Sequence, residues 1–422
     1  MKRRTFIKSS IATAAITPFA VQPFTPTSVL DIDVKIKKIV CFRVRYNRPR
    51  VVGGNSKYKM AGGTRHDWMV ALFAENGMIG IGSAPRYGKP EPSNFPIGKT
   101  VDELLGKYQK ETADKVGTTA VWDLAGKILD KPVYEVLGGK RNPNGVQVYD
   151  GGIYMEELVN RDLRSPHRPE NAPYGDRPGW KDVFKEALDV SREFGHNFVK
   201  VKIGRGKLHL AREAGNLQDA AVLRFIKEYG GTDLKIGVDA NDAYTLKDTL
   251  WLLREHGDLN LAFIEEMFPE DIEAYSEIKK FIKDKKLPTY IADGENWKNP
   301  TEQGVPQIIE SGVIDVLQGD MRMFQIEGIL EEAKMARKAG SLVAPHNWGC
   351  EFAFYVMIHM GNVISNYYGA ENDNGKIEVP IYKEEPYKVV NGRCHVPDSP
   401  GFGLNLKPEM LNEVEIVYQS EK

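Results

Sequence analysis

The sequence is poor in several things. It has three cysteines in 422 residues. These are Cys41, Cys350 and Cys394, and none has the close spacing of a thiolate metal site. An oxidising compartment permits one disulfide among them and leaves one thiol over, with Cys41–Cys394 as one possible pair. There is almost no excess charge, with 57 basic residues against 58 acidic ones and a formal net of -1. That balance argues against nucleic-acid binding, which needs a basic surface to displace counterions. There is no Gly-rich phosphate loop after the first of the repeating strands described below, which disfavours a dinucleotide-binding open sheet. The apolar stretch Ile11 to Val21 is too short and too soft to span a bilayer.

That stretch has a different meaning. It follows Lys2-Arg3-Arg4-Thr5-Phe6-Ile7-Lys8 and contains the small residues Ala12, Ala14, Ala15 and Ala20. Paired arginines, then Phe and Lys, then an apolar run, predict a twin-arginine export signal over residues 1–30 and a periplasmic destination. No membrane span is expected to remain after its removal. No cysteine follows it, so no lipid anchor is expected there. The full chain is 41% hydrophobic and 27% charged, ordinary for a globular protein with ample core.

Two rhythms divide the remainder. Val34 to Tyr46, Trp68 to Phe73 and Ile79 to Ser83 alternate as strands, with a Gly- and Lys-rich loop at Asn47 to Thr64 and the turn Glu75-Asn76-Gly77. Helical patterns follow, ending at Thr118 to Leu129. Strands followed by helices predict an α+β domain over 31–145, completed by the Pro- and Gly-rich tail 375–422. From Val146, short β-rich runs recur, mostly separated by helical patterns. They are Val146–Tyr149, Phe198–Ile203, Lys235–Ala240, Leu261–Glu265, Tyr290–Asp293, Val313–Gln318, Leu342–Pro345 and Val363–Tyr368. This predicts a barrel of parallel strands over 146–374. The segment Glu156 to Trp180, with Arg161, Arg164, His167 and Arg168, interrupts the alternation. It reads equally as a substrate lid or a solvated insertion.

The ends of these strands carry the chemistry. From the second onward they deliver Lys200-Val201-Lys202, Asp239-Ala240-Asn241, Glu265-Glu266, Asp293-Gly294-Glu295, Asp320, His346 and finally Glu371. Barrel enzymes build their sites at that end. Residues i and i+2 share a strand face, so Lys200 and Lys202 project together, as do Asp239 and Asn241. Two adjacent ammonium groups repel, which favours deprotonating one and suits a general base. Asp239, Glu265 and Glu295 would repel one another unless a cation joins them, and an all-oxygen donor set suits Mg2+. Asp320 beside His346 would fix the imidazole tautomer and raise its basicity, and the ring would face Lys202 across the mouth. A metal, a lysine and an imidazole together point to removal of a proton α to a carboxylate.

These residues resemble the mandelate racemase branch of the enolase superfamily. The matching elements are Lys200-Val201-Lys202, Val238-Asp239-Ala240-Asn241, Ile264-Glu265-Glu266, Gly294-Glu295-Asn296-Trp297, Asp320 and His346. Val121 to Lys127, Pro132 and Leu137-Gly138-Gly139 resemble the family's domain junction, and the likeness runs from about Val34 to Leu406. The resemblance implies a modified (β/α)7β TIM-like barrel with an N-terminal α+β capping domain. It implies Mg2+ on Asp239, Glu265 and Glu295, Lys202 as base beside Lys200, and a His346–Asp320 dyad as second acid/base. It also implies contact of Glu371 with the substrate carboxylate, and Asn241 is a further candidate for substrate contact. One departure is Met267-Phe268 before Pro269, which leaves both Glu265 and Glu266 open as metal ligand.

The favoured activity is dehydration of a sugar acid by a Mg2+-dependent lyase. The alternative is racemisation or epimerisation of a 2-hydroxy acid. A binding protein on a retired barrel would not need paired bases facing a metal. A Schiff-base lyase would leave the three carboxylates unexplained. The expected partners are a small carboxylate substrate and further copies of the chain as a homo-oligomer.

Overall fold

The computed structural model describes residues 30–59, 61–85, 87–158 and 179–421. The expected export signal, and most of Glu156 to Trp180, lie outside the described residues. Three antiparallel strands open the structure: β1 (Ile36–Val52), β2 (Gly62–Ala74) and β3 (Ile79–Ser83). Strand periodicity gives this sheet two apolar faces. Ile39, Cys41, Val70 and Leu72 pack with Val121 and Leu124 of the helix Thr118–Ile128. Val40, Phe42, Val44, Met69 and Ala71 face the main core instead.

The expected loop Asn47 to Thr64 is shorter than its composition implied. β1 runs on to Val52 and β2 begins at Gly62. Ion pairs fix the extension: Arg48 lies 2.6 Å from Asp373 and Arg50 2.5 Å from Glu156. The C-terminal strand Glu415–Glu421 returns antiparallel to β1, and Lys376–Ile377 pairs with it too. The hairpin Val389–Val390 with Arg393–Cys394 joins β4 instead.

Eight parallel strands follow: β4 (Val146–Ile153), β5 (Phe198–Lys202), β6 (Lys235–Asp239), β7 (Phe263–Glu265), β8 (Tyr290–Asp293), β9 (Val316–Leu317), β10 (Leu342–Val343) and β11 (Ala370–Asn372). Each neighbours the next from β4 to β10, and β11 turns back to pair with β4. Tyr367, just ahead of β11, bridges to Val343 of β10. The sheet is therefore curled, with helices on its outer face in a mixed α/β fold. The apolar run Val363–Tyr368 was expected to be the eighth strand, but that strand is Ala370–Asn372. Val363 and Ile364 are drawn into the core behind the helix Glu351–Met360, so pairing with β4 starts later.

Period two also decides what lies inside the curl. Tyr149, Phe198, Phe263, Ala292, Val316 and Ala344 form one apolar layer. Gly237 belongs at that level because a Cβ there would meet the Phe263 ring at 2.5 Å. Burial of each such aromatic contributes roughly 2–3 kcal/mol. The intervening residues Val199, Val201, Val238, Ile264, Ile291, Leu317 and Val343 join the main core. Counting two onward from the apolar layer reaches Lys200, Asp239, Glu265, Gln318 and His346. The inner face thus changes from aromatic to ionisable within one step of the pleat.

All three cysteines are buried and free, so the Cys41–Cys394 pair does not form. Cys41 belongs to the N-terminal sheet's own core and Cys394 to the main core. Among the described residues, no helix is long and apolar enough to cross a membrane.

Candidate active site

Parallel register aligns the first half of the site. Lys202 is paired with Asp239, and Asp239 with Glu265, in one row across β5, β6 and β7. Glu295 comes to them by another route. It follows Gly294, whose φ of 121° lets the chain turn back after β8. Asp293 takes no part, because its carboxylate meets the Tyr275 hydroxyl and the Gly294 amide. Ligand atoms of Asp239, Glu265 and Glu295 all lie within 4.8 Å of one another, so this trio could hold a metal ion.

The structure separates the two candidate glutamates. Glu265 completes the trio, with Lys200 Nζ 2.7 Å from Oε1 and Gln318 Nε2 donating to Oε2 at 2.7 Å. Glu266 adopts a positive φ of 42° and turns away. Its oxygens accept from Asn241 Nδ2 at 2.8 Å and from Asn296 Nδ2. Asn241 sits between the two systems, its Nδ2 also 3.5 Å from Glu295 Oε1. Two buried oxygens in this cluster, Asn241 Oδ1 and Glu295 Oε2, accept no hydrogen bond. Their lone pairs suit a cation or a hydroxylated ligand.

Both lysines are buried. Lys200 Nζ lies 2.8 Å from Glu371 Oε1 and 3.6 Å from Asp239 Oδ2, while Lys202 Nζ contacts Asp239 Oδ2. Sequence reasoning expected mutual repulsion to lower a lysine pKa. The structure reverses that sign. Burial opposes the charge on each, but Glu265, Glu371 and Asp239 raise Lys200 well above its usual value. Asp239 does the same for Lys202, against the smaller opposing effect of Lys200. The carboxylates nearest each ammonium outweigh the second lysine. For Asp239, burial raises its pKa, yet the two lysines hold it below the usual carboxylate range. Burial and the neighbouring acids Asp239, Glu295 and Glu371 raise Glu265 despite Lys200.

The second half of the site is built differently. Asp320 and His346 are bridged through their backbones, and His346 Nδ1 lies 2.7 Å from Asp320 Oδ2. His346 Nε2 lies 3.3 Å from Glu295 Oε2. Burial works against a charged ring, but Glu295 and Asp320 raise its pKa to about 9. The amine and the imidazole therefore attach to different members of the carboxylate trio. Glu371 closes the ring of contacts, its Oε2 accepting from the Asn347 amide at 3.0 Å.

Several residues here were missed in the sequence. Tyr87, from the segment after β3, donates its hydroxyl to Asp320 Oδ2. Arg322 pairs with Asp67 of β2 at 2.5 Å and lies 3.6 Å from the centre of the Tyr87 ring. Trp348 stacks on Tyr58 and carries Arg65 at 3.8 Å, and its Nε1 donates to Tyr154 at 2.9 Å. The available signals were faint: Asp67 directly ahead of the apolar run Trp68 to Phe73, and Arg322 two residues after Asp320.

Comparison with known proteins places this arrangement in context. Residues 182–410 match the model of the family described as enolase C-terminal domain-like. The chain is 26% identical over 371 residues to an arabinonate dehydratase of Saccharolobus solfataricus, covering 81% of this chain and 88% of that protein. It superposes on a galacturonate dehydratase from Geobacillus sp. complexed with D-galacturonate and 5-keto-4-deoxy-D-galacturonate. There the TM-score is 0.77 at 26% identity, covering 91% of this chain and 97% of the other. A mandelate racemase/muconate lactonizing protein from Geobacillus sp., complexed with magnesium/tartrate, gives a TM-score of 0.79 at 25% identity. That match covers 94% of this chain and 100% of the other.

Proposed function

Because the chain belongs to the enolase C-terminal domain-like family, we propose that it is a Mg2+-dependent lyase that removes the proton α to a carboxylate and dehydrates a sugar acid. The carrying observation is the trio Asp239, Glu265 and Glu295 with Lys202 on one member and His346 on another. Three carboxylates without a thiolate or imidazole among them fit Mg2+, as does Asn241 Oδ1, which accepts no hydrogen bond. When bound, Mg2+ supplies the positive charge that lets a substrate carboxylate take up the electron pair of the broken C–H bond. The curled sheet is read as a (β/α)7β barrel, and the N-terminal α+β unit as its cap. The pairing of β11 with β4 and the Tyr367–Val343 bridge support that reading.

The residues divide the work. Asp239 and Glu265, which would hold the cation, would then attract Lys202 and Lys200 less strongly, so Lys202 would give up its proton more readily. Neutral Lys202 then takes the α proton. Lys200 and Glu371 adjoin each other where the substrate carboxylate is held. His346 gives its proton to the departing β-hydroxyl, so water leaves and the resulting enol becomes a 2-keto-3-deoxy acid. Asp320 keeps the ring oriented through Nδ1. The second reading, racemisation or epimerisation, uses Lys202 and His346 without a leaving group. Their attachment to different carboxylates supports it.

Incubation with a panel of acid sugars in D2O, with Mg2+ or with chelator, tests both. A 2-keto-3-deoxy product formed only with Mg2+ supports dehydration, and solvent exchange with inversion supports the isomerase. Neither product nor exchange from any acid sugar overturns the proposal. Residues 1–30 are further read as a twin-arginine signal and the destination as the periplasm. Cell fractionation with Arg3 and Arg4 replaced by Lys tests this. The homo-oligomer expectation is tested by sedimentation.

A further inference from the structure

We propose that Tyr87 is a positioning residue for the His346–Asp320 pair, so that the N-terminal unit completes the acid/base group on the barrel. The proposal rests on the reading of His346 as an acid/base group. A carboxylate offers about four acceptor positions, and Asp320 has four donors. Its Oδ1 accepts from the Arg322 and Met323 amides, both at 3.0 Å, capping the helix Met321–Ala339. Its Oδ2 accepts from His346 Nδ1 at 2.7 Å and from the Tyr87 hydroxyl. The carboxylate has no free lone pair and no freedom to turn. Nδ1 of His346 is thereby held as a donor to Asp320, with Nε2, the nitrogen that exchanges its proton, toward the trio.

Tyr87 is itself held from three sides. The Arg322 guanidinium lies 3.6 Å from its ring centre, anchored by Asp67 at 2.5 Å and by the Trp348 carbonyl at 3.2 Å. Trp68 Nε1 donates to the Tyr87 carbonyl at 3.3 Å. The Trp348 ring lies 6.1 Å away. The ring of Tyr87 remains partly exposed, so burial alone does not dictate where its hydroxyl sits. Two of these partners, Asp67 and Trp68, come from the N-terminal unit, as does Tyr87 itself. Its seating on the barrel therefore completes the fourth contact of Asp320.

The test compares wild type and Tyr87→Phe as Mg2+-loaded, full-length enzymes on an acid sugar that wild type dehydrates. Loss of one outer hydrogen bond at such a site is expected to lower kcat by about 10- to 100-fold. KM, and α-proton exchange with D2O through Lys202, should stay within about threefold. A kcat within about twofold of wild type, or exchange falling in step with kcat, overturns the proposal. A second measurement does not need turnover. With 15N-labelled histidine, the His346 Nδ1–H proton is assigned by its loss in His346→Asn. It should shift or broaden in Tyr87→Phe, and an unchanged resonance overturns the proposal. If wild type acts on no acid sugar, the assigned reaction fails, and the NMR comparison still decides the role of Tyr87.

Discussion

The lysine side and the histidine side of the site are built on different principles. Lys200, Lys202, Asp239 and Glu265 belong to adjacent strands, and strand register alone lines up Lys202, Asp239 and Glu265. Lys200, Asp239 and Glu265 are each reached by stepping two residues from the apolar layer, and Lys202 by one more such step from Lys200. His346 and Asp320 sit just beyond very short strands, and their placement depends on a helix cap, on Arg322 and on residues of another sheet. One side is thus fixed by the backbone ladder. The other is fixed by side-chain contacts across a seam between two units. Damage to that seam should disable proton delivery before it disables proton removal.

The largest expected effect separates the two sides directly. Lys202→Met should abolish both α-proton exchange and product formation, by about 10^4-fold. His346→Asn should lose product by about 10^2- to 10^3-fold while retaining exchange at the lysine face, as followed by NMR in D2O. Next comes the metal trio. Glu265→Gln should weaken Mg2+ binding by more than about 100-fold, and Glu266→Gln by about tenfold, because Glu266 acts through Asn241. Titration calorimetry measures both, and equal effects would remove the distinction between the glutamates.

A pH titration addresses the histidine side alone. His346 has a pKa of about 9 in the fold against about 6.5 unfolded. Its contribution is full below pH ~6.5 and is lost as pH rises through 9, up to about 3 kcal/mol. Chelator-treated enzyme should therefore lose stability across that window in denaturant titrations. Mg2+ should flatten the slope, because a cation on Glu295 removes its attraction for the ring. The smallest effect tests the seam away from the site. Thr118 Oγ1 donates to Glu327 at 2.7 Å, and Thr118→Val should cost about 1 kcal/mol. Product formation should fall severalfold, with exchange through Lys202 unchanged.

Legibility in the sequence follows the same divide. Lys200-x-Lys202 and Asp239-x-Asn241 could be read because alternation is a local rule. Glu295 could be placed at the correct strand end, but only Gly294 explains how it reaches the row. The choice between Glu265 and Glu266 was closed to sequence, since the positive φ of Glu266 decides it. The sign of the lysine shifts was misread because a pair two residues apart is visible in sequence and the carboxylates from three other strands are not. Tyr87 and Arg322 escaped notice because their partners lie more than two hundred positions away.

By itself, the sequence determined the alternation of strands and helices and the apolar-to-charged change along the inner face, and it brought candidate acids to the strand ends with Glu265 and Glu266 both open. These follow from periodicity and residue chemistry, which act over a few residues. The tertiary structure alone decided which glutamate joins the trio, which charges outweigh which, and how the N-terminal sheet reaches Asp320. Those outcomes depend on distances between chain-remote groups in a buried site, where electrostatic and hydrogen-bond energies are set by a few tenths of an ångström.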